Sequence, residues 1–314
     1  MGDIPQAPRR ITPALHEALV PLVAVAAVLG VLLPGTAHLL RPGVPYMLAG
    51  QVAGVALTVT GRQIVPVLRR PRGLVVALVA QWILMPAFGY ALFRLTGGDL
   101  VGQGAFITAV APAEITSALV AVVAGAEAAT AAAVMSTSVA LGCILTPLWL
   151  TLLGDQSHRV DRGSLIAELV FSVALPLVAG VALRTRFTTL ARHPRRWLDL
   201  AGISLLLVVF VGAGAARPVL LSARLGEAVA LATALIVWGA ALGAGVAIST
   251  RHARKIQLAL AFPVGMREFG IATAVALSIA PRAAGFGGLY GVLMMLAAAG
   301  AAAGLRRGRE TERR

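Results

Sequence analysis

The chain has 314 residues, of which 58% are hydrophobic and only 13% charged, about half the charge of an ordinary soluble domain. Apolar runs of 18 or more residues recur along it, which excludes a soluble globular domain, and the absence of short alternating strands excludes an outer-membrane barrel. The formal net charge is +14, but the positive residues sit in short clusters between apolar runs, the pattern of cytoplasmic membrane loops and not of a nucleic-acid surface.

Taken in order, the chain begins with a polar segment, 1–17, carrying Arg9 and Arg10 and lacking a small-residue cleavage site, so it does not read as a secretory signal. Ten spans follow at roughly 18–35, 45–61, 73–95, 104–123, 128–153, 164–183, 197–216, 227–248, 256–279 and 285–305. Turn and interface residues separate them: Pro34-Gly35, Pro42-Gly43, Gly97-Gly98-Asp99, Gly154-Asp155, Pro194 and Pro281. A basic tail, 306–314, is expected to be solvated against anionic lipid. With the N-terminus inside, alternate connectors place 19 Lys and Arg residues inside and 6 outside. That bias predicts both termini in the cytoplasm, and an odd number of spans would scramble it. The expectation is therefore an all-α polytopic membrane protein with one transporter-sized domain, 18–305.

Spans 1–5 and 6–10 read as two halves, about 18–153 and 164–305. Each holds an odd number of spans, so a repeat would be inverted. The fourth span reads Phe106-Ile-Thr108-Ala-Val-Ala-Pro112-Ala-Glu114-Ile-Thr116-Ser117, and the ninth reads Leu260-Ala-Phe-Pro263-Val-Gly265-Met266-Arg267-Glu268. In both, an apolar half-helix meets a proline, then polar groups, then a second half-helix. A broken helix frees backbone groups that lipid cannot satisfy, and an unpaired charge at membrane depth costs about 3 kcal/mol or more. Paired interruptions of this kind point to the binding site of a secondary transporter. Pro86 and Pro176, in spans 3 and 6, read as the ordinary prolines of membrane helices.

Little competes with that site. The one cysteine, Cys143, cannot form a disulfide within the chain and reads as a small buried side chain. The five histidines, at 16, 38, 158, 193 and 252, show no metal-ligand spacing. No phosphate loop, nucleophile elbow or cofactor fingerprint is present, so no cofactor, no nucleic-acid partner and no enzymatic activity are expected. An intramembrane enzyme would need paired catalytic groups; Glu114 and Glu268 could pair, but Arg267 beside them would hold both ionised. Gly287-x-x-x-Gly291 and Gly300-x-x-x-Gly304 read as close helix packing. Thr108, Thr116, Ser117, Thr273 and Gln81 are candidates to line a cavity, against the alternative that the hydroxyls bond back to their own helix.

Three stretches carry a resemblance: Val79-Ala80-Gln81-Trp82-Ile-Leu-Met85-Pro86, Ala111-Pro112-Ala-Glu114-Ile-Thr116-Ser117-Ala118, and Gly265-Met266-Arg267-Glu268-Phe-Gly270. Together they resemble the bile acid:sodium symporter family, whose distant relatives include arsenite exporters. The resemblance implies a core of spans 3, 4, 5, 8, 9 and 10, a panel of spans 1, 2, 6 and 7, and broken spans 4 and 9 crossing near the midplane. It implies alternating-access transport of a small or amphipathic organic anion, usually coupled to sodium. The source is expected to be bacterial and the location the inner membrane, with the bilayer as partner and a homo-oligomer open.

The departures bear on the ion. Gln81 and Ser117 match the family's sodium ligands, but its Asn position is Ala118, its Glu position Pro263 and its Gln position Arg267. Ala131 and Met135 fall where hydroxyls are expected, with Ser136, Thr137 and Ser138 close by. A guanidinium only donates, so the usual pair of sodium sites is not expected, and the coupling ion is left as sodium, proton or none. Arg267 is expected to act as a fixed internal cation paired with Glu114, with Glu268 or with substrate. Glu114 is the first candidate, because neighbours on a helix point about 100° apart. The arsenite alternative is weakened because the only cysteine lies in span 5; a non-transporting membrane sensor or scaffold is the remaining alternative. The expected site is thus Gln81, Pro112, Glu114, Thr116, Ser117, Pro263, Met266, Arg267 and Glu268.

Overall fold

A computed structural model describes residues 19–58, 65, 67, 71–153, 162–187, 189 and 194–311. The N-terminal segment 1–17, the cations Arg62, Arg69, Arg70, Arg159, Arg192, Arg313 and Arg314, and the Gly154-Asp155 turn lie outside them. Helices account for the described fold. They are α1 (Leu19–Leu32), α2 (Pro34–Leu40), α3 (Val44–Ala56), α4 (Arg72–Leu95), α5 (Leu100–Ala109), α6 (Ser117–Val123), α7 (Ala128–Leu153), α8 (Gly163–Arg186), α9 (Pro194–Leu220), α10 (Leu225–Thr250), α11 (Arg254–Gly265), α12 (Phe269–Ile279) and α13 (Ala284–Thr311).

Six of these, α4, α7, α8, α9, α10 and α13, are long and apolar enough to cross a membrane. α1 with α2–α3 makes a seventh if the pair, bent by 103° at Pro34, is one span. Each predicted span holds helix among its described residues, but not every one an unbroken crossing. α1 and α3 have only 14 and 13 residues. The fourth and ninth spans each divide into two short helices, α5/α6 and α11/α12, for the reason their sequences give. Pro112 has no N–H to continue α5, and after Pro263 the chain leaves the helix at Met266 with extended backbone.

Small residues set the packing, as they must where lipid supplies no hydrophobic drive between helices. α9 is the hub: a Cβ at Gly30 of α1 would lie 2.2 Å from the Phe210 carbonyl oxygen, and one at Gly54 of α3 2.5 Å from that of Trp197. α10 and α11 touch backbone to backbone at Gly239 and Gly243, where a Cβ would lie 2.5 Å from the carbonyls of Gly265 and Ala261. Gly287 and Gly291 of α13 pack under Thr273 and the Phe269 ring of α12, as expected. Gly300 and Gly304 face open space, so the second glycine pair does not hold a helix contact. α4–α7 and α10–α13 pack together around the two breaks, while α1, α2 and α3 pack on α9, and α8 lies against α3 and α7.

Candidate functional site

The two breaks meet. Ala113 and Arg267 form an isolated antiparallel bridge, with Glu114 N–H donating to the Met266 carbonyl at 3.0 Å and Glu268 N–H to the Pro112 carbonyl at 2.9 Å. Two extended peptides thus satisfy each other where their helices stop, which is how irregular backbone survives at membrane depth. α7 completes the pairing from behind. Ser138 Oγ accepts from Ala113 N–H at 3.0 Å, and Thr146 Oγ1 donates to the Val110 carbonyl at 2.7 Å.

Arg267 is fully buried, and its guanidinium goes to backbone carbonyls. Nη2 donates to the Val264 carbonyl at 2.8 Å, and Nη1 makes longer contacts to those of Ala111 (3.3 Å) and Gln81 (3.4 Å). Val264 and Ala111 lie at the C-terminal ends of α11 and α5, where unpaired carbonyls and the helix dipole favour a cation. The Gln81 carbonyl is free for a related reason. Residues Ala80–Leu84 form a π-helical turn in α4, and Pro86, five residues after Gln81, has no N–H to offer. The neighbouring Trp82 carbonyl, four residues before Pro86, is taken instead by the Trp149 indole at 3.0 Å. Pro86, read from sequence as an ordinary membrane proline, is therefore what exposes one wall of the guanidinium's seat. Gln81 also donates from Nε2 to the Pro263 carbonyl at 2.8 Å, locking α4 to the end of α11.

The carboxyls lie on the opposite, N-terminal side of the breaks. Glu268 caps α12: its Oε1 accepts from Gly270 N–H at 3.1 Å and its Oε2 from Ile115 N–H at 2.8 Å. Glu114 Oε1 accepts from Thr116 N–H at 3.2 Å and Thr116 Oγ1 at 3.0 Å. Both carboxyls are fully buried, on the two segments that the bridge joins. The expected ion pair between Arg267 and Glu114 is not formed, nor one with Glu268: the guanidinium meets backbone carbonyls, whereas Arg224 does pair with Asp99 and with Glu227. Arg267 goes to helix C-termini and the carboxyls to N–H groups at the following helix starts, so each charge meets its own backbone complement. The objection that Arg267 would hold both glutamates ionised falls with the pairing it assumed.

Pro112, Glu114, Thr116, Pro263, Met266, Arg267 and Glu268 thus come together through the paired breaks, and Gln81 joins them from α4. Ser117 is fully buried at the start of α6, and its Oγ has no protein partner. Gln81 Oε1, Glu114 Oε2, Ser136 Oγ, Thr273 Oγ1 and Arg267 Nε share that condition. Buried polar atoms without a protein partner call for water or a ligand; Gln81, Glu114 and Arg267 bring three of them to the breaks, while Gln51 of α3 shows the same condition. Thr108 instead bonds back to the Gly104 carbonyl at 2.9 Å. Cys143 turns toward the Val139 and Leu169 carbonyls at 3.7 Å each.

Tyr290 was not foreseen, and Ser138 only as a hydroxyl near the expected positions. Tyr290 of α13, fully buried, accepts the Arg267 N–H on its hydroxyl at 3.3 Å. Ser138 holds the break from α7. A lone tyrosine among the glycines of span 10 was the available signal for the first.

Comparison with known proteins accords with this geometry. The model of the sodium bile acid symporter family matches residues 45–223, a range that holds α3 to α9 and ends before the second break. Among curated proteins, the chain is similar to an "Uncharacterized sodium-dependent transporter YocS" of Bacillus subtilis (strain 168). They are 26% identical over 265 residues, 81% of this chain and 79% of that protein.

Proposed function

The chain belongs to the sodium bile acid symporter family, and we propose that it is a secondary transporter moving a small or amphipathic organic anion by alternating access about the paired breaks. The observation that carries this reading is the seat of Arg267. A guanidinium held by the carbonyls of Gln81, Ala111 and Val264, where two broken helices end, is a built-in cation at the kind of position where transporters of this design bind their coupling ion. An ion that cannot leave cannot be carried, so Arg267 fills one cation position permanently and contributes positive potential toward an anionic substrate.

Coupling then falls to Glu114 and Glu268. Two carboxylates buried at one locus repel, and a proton on one of them relieves the pair. The unpaired Glu114 Oε2 supports that assignment, as does the loss of sodium ligands at Ala118 and Pro263. The proposed cycle has the pair taking up a proton from one side with substrate and releasing both on the other.

The layout we propose is ten crossings in two inverted halves, about 18–153 and 164–305, with α1–α3, α8 and α9 as panel and α4–α7 and α10–α13 as core. Connector contacts support it. Arg41 reaches the Leu277 carbonyl, Glu168 meets Ser278, and Asp99 meets Arg224, joining connectors that the charge alternation assigns to the outside. Glu127 N–H donates to the Lys255 carbonyl, joining two assigned to the inside. The membrane is then a bacterial inner membrane with both termini cytoplasmic, and the protein is not an enzyme.

The test is uptake of radiolabelled organic anions into proteoliposomes by the wild type and Arg267→Ala. Uptake that Arg267→Ala lowers at least tenfold is expected; normal transport by that variant would remove the role given to Arg267. Uptake of no anion under any gradient would favour a membrane sensor or scaffold.

A further inference from the structure

Away from the breaks, α10, α11 and α13 enclose a crevice of about 380 Å³. Its walls are apolar throughout, and Ala240, Ala244, Ile248, Ala297 and Ala301 on its rim are exposed. On membrane-crossing helices those positions face lipid, so the crevice opens sideways into the bilayer. None of Gln81, Glu114, Arg267 or Glu268 lines it, so it offers no group to orient a polar substrate. It is long and narrow: from Ile248 to Ile236 on α10 is twelve residues, or about 18 Å of helix. Its inner end is Gly265 and Met266, immediately before Arg267.

The other end is basic. Ile248, Leu258 and Leu305 line it there, and Arg251, Arg254, Lys255, Arg306 and Arg307 lie within about one helical turn of those three along the chain. Glu127 meets this end through its N–H, which donates to the Lys255 carbonyl at 3.0 Å, and the positive residues outnumber it. An elongated apolar slot ending near cations and open to the bilayer suits an acyl chain with an anionic headgroup. A zwitterionic lipid would fit the slot and gain less from its end.

We propose that this crevice is a binding site for an anionic phospholipid, its acyl chain between α10, α11 and α13 and its phosphate among the cations flanking α10 and α11. The bound chain abuts the Gly265-Met266 wall, so the lipid braces the helix end that presents the Val264 carbonyl to Arg267.

The experiment is native mass spectrometry of the full-length protein in detergent, titrated with phosphatidylglycerol or phosphatidylcholine of the same chains. The variants are Ala244→Trp, which fills the slot, and Arg251→Gln with Lys255→Gln, which removes two cations from its end. Wild type is expected to retain phosphatidylglycerol preferentially. The double variant should lower that affinity about fivefold per charge removed while leaving phosphatidylcholine unchanged, and Ala244→Trp should lower binding of both. If Ala244→Trp fails to fold, the double variant carries the test alone. Equal retention of the two lipids by wild type, or unchanged phosphatidylglycerol affinity in the double variant, would overturn the proposal. So would an Ala244→Trp protein that keeps its lipids and loses organic-anion binding, since the slot would then belong to the substrate.

Discussion

In the proposed transport cycle Arg267 and the two glutamates carry the chemistry, and each is held by backbone rather than by an opposite charge. Removing the guanidinium leaves the carbonyls of Gln81, Ala111 and Val264 without their donor, at roughly 1–3 kcal/mol for each group left unsatisfied. Arg267→Ala is therefore expected to lower the thermal unfolding midpoint in detergent as well as uptake. Arg267→Lys is the sharper comparison. An ammonium keeps the charge but lacks the planar fork that spans carbonyls from three segments, so uptake should still fall at least tenfold while the protein remains folded. If Lys restores full transport, the geometry of the fork is irrelevant and charge alone matters. For the carboxyls, Glu114→Gln keeps the acceptor to Thr116 but loses the exchangeable proton. It should fold normally and lose the response of uptake to a pH gradient; an undiminished pH response would take the proton away from this pair. The need for charge at this locus was legible in Arg267 and Glu268 themselves. The partner was not, because spacing along one helix says nothing of which carbonyls a second broken helix presents. The Pro86-linked turn that bares the Gln81 carbonyl belongs to a third segment altogether.

The broken helices and their neighbours explain why the site stays in place. α11 is seated on α10 through Gly239 and Gly243, where any side chain would meet backbone rather than a movable group. Overpacking of that kind typically costs 1–3 kcal/mol. Gly239→Ala should therefore lower thermal stability by about that amount and displace the Gly265 end of α11, reducing uptake. By contrast Gly300→Ala and Gly304→Ala, which face open space, should change neither. Stability equal to wild type in Gly239→Ala would mean that the two helices are not in contact as described. The breaks could be read directly from Pro112 and Pro263, since the missing N–H acts locally. The two glycine pairs of α13 were equivalent by pattern and differ in fact, because only the neighbouring helix decides whether a small residue is covered.

For the molecule as a whole, the sequence specified a multi-pass helical membrane protein through hydropathy alone, and three short motifs placed it in its family. The ten crossings read from hydropathy and charge are not matched by helix length, which gives six or seven, because α1, α3 and the divided spans are too short to be counted that way. The alternation of basic connectors bears on that count. On the proposed layout, single cysteines at Leu221 and His252, in a Cys143→Ala background, should react with an impermeant maleimide from opposite sides of the membrane; labelling from the same side would refute ten crossings with both termini inside. The account's central claim is that Arg267 is a resident cation and that a proton at Glu114 and Glu268 drives organic-anion movement. Purified protein in liposomes can be given a radiolabelled bile acid, a sulfated steroid and a small monocarboxylate, under an inward sodium gradient or an inward proton gradient imposed separately. Uptake of at least one anion that follows the proton gradient and ignores the sodium gradient is the predicted result; uptake that follows sodium and ignores pH would contradict it.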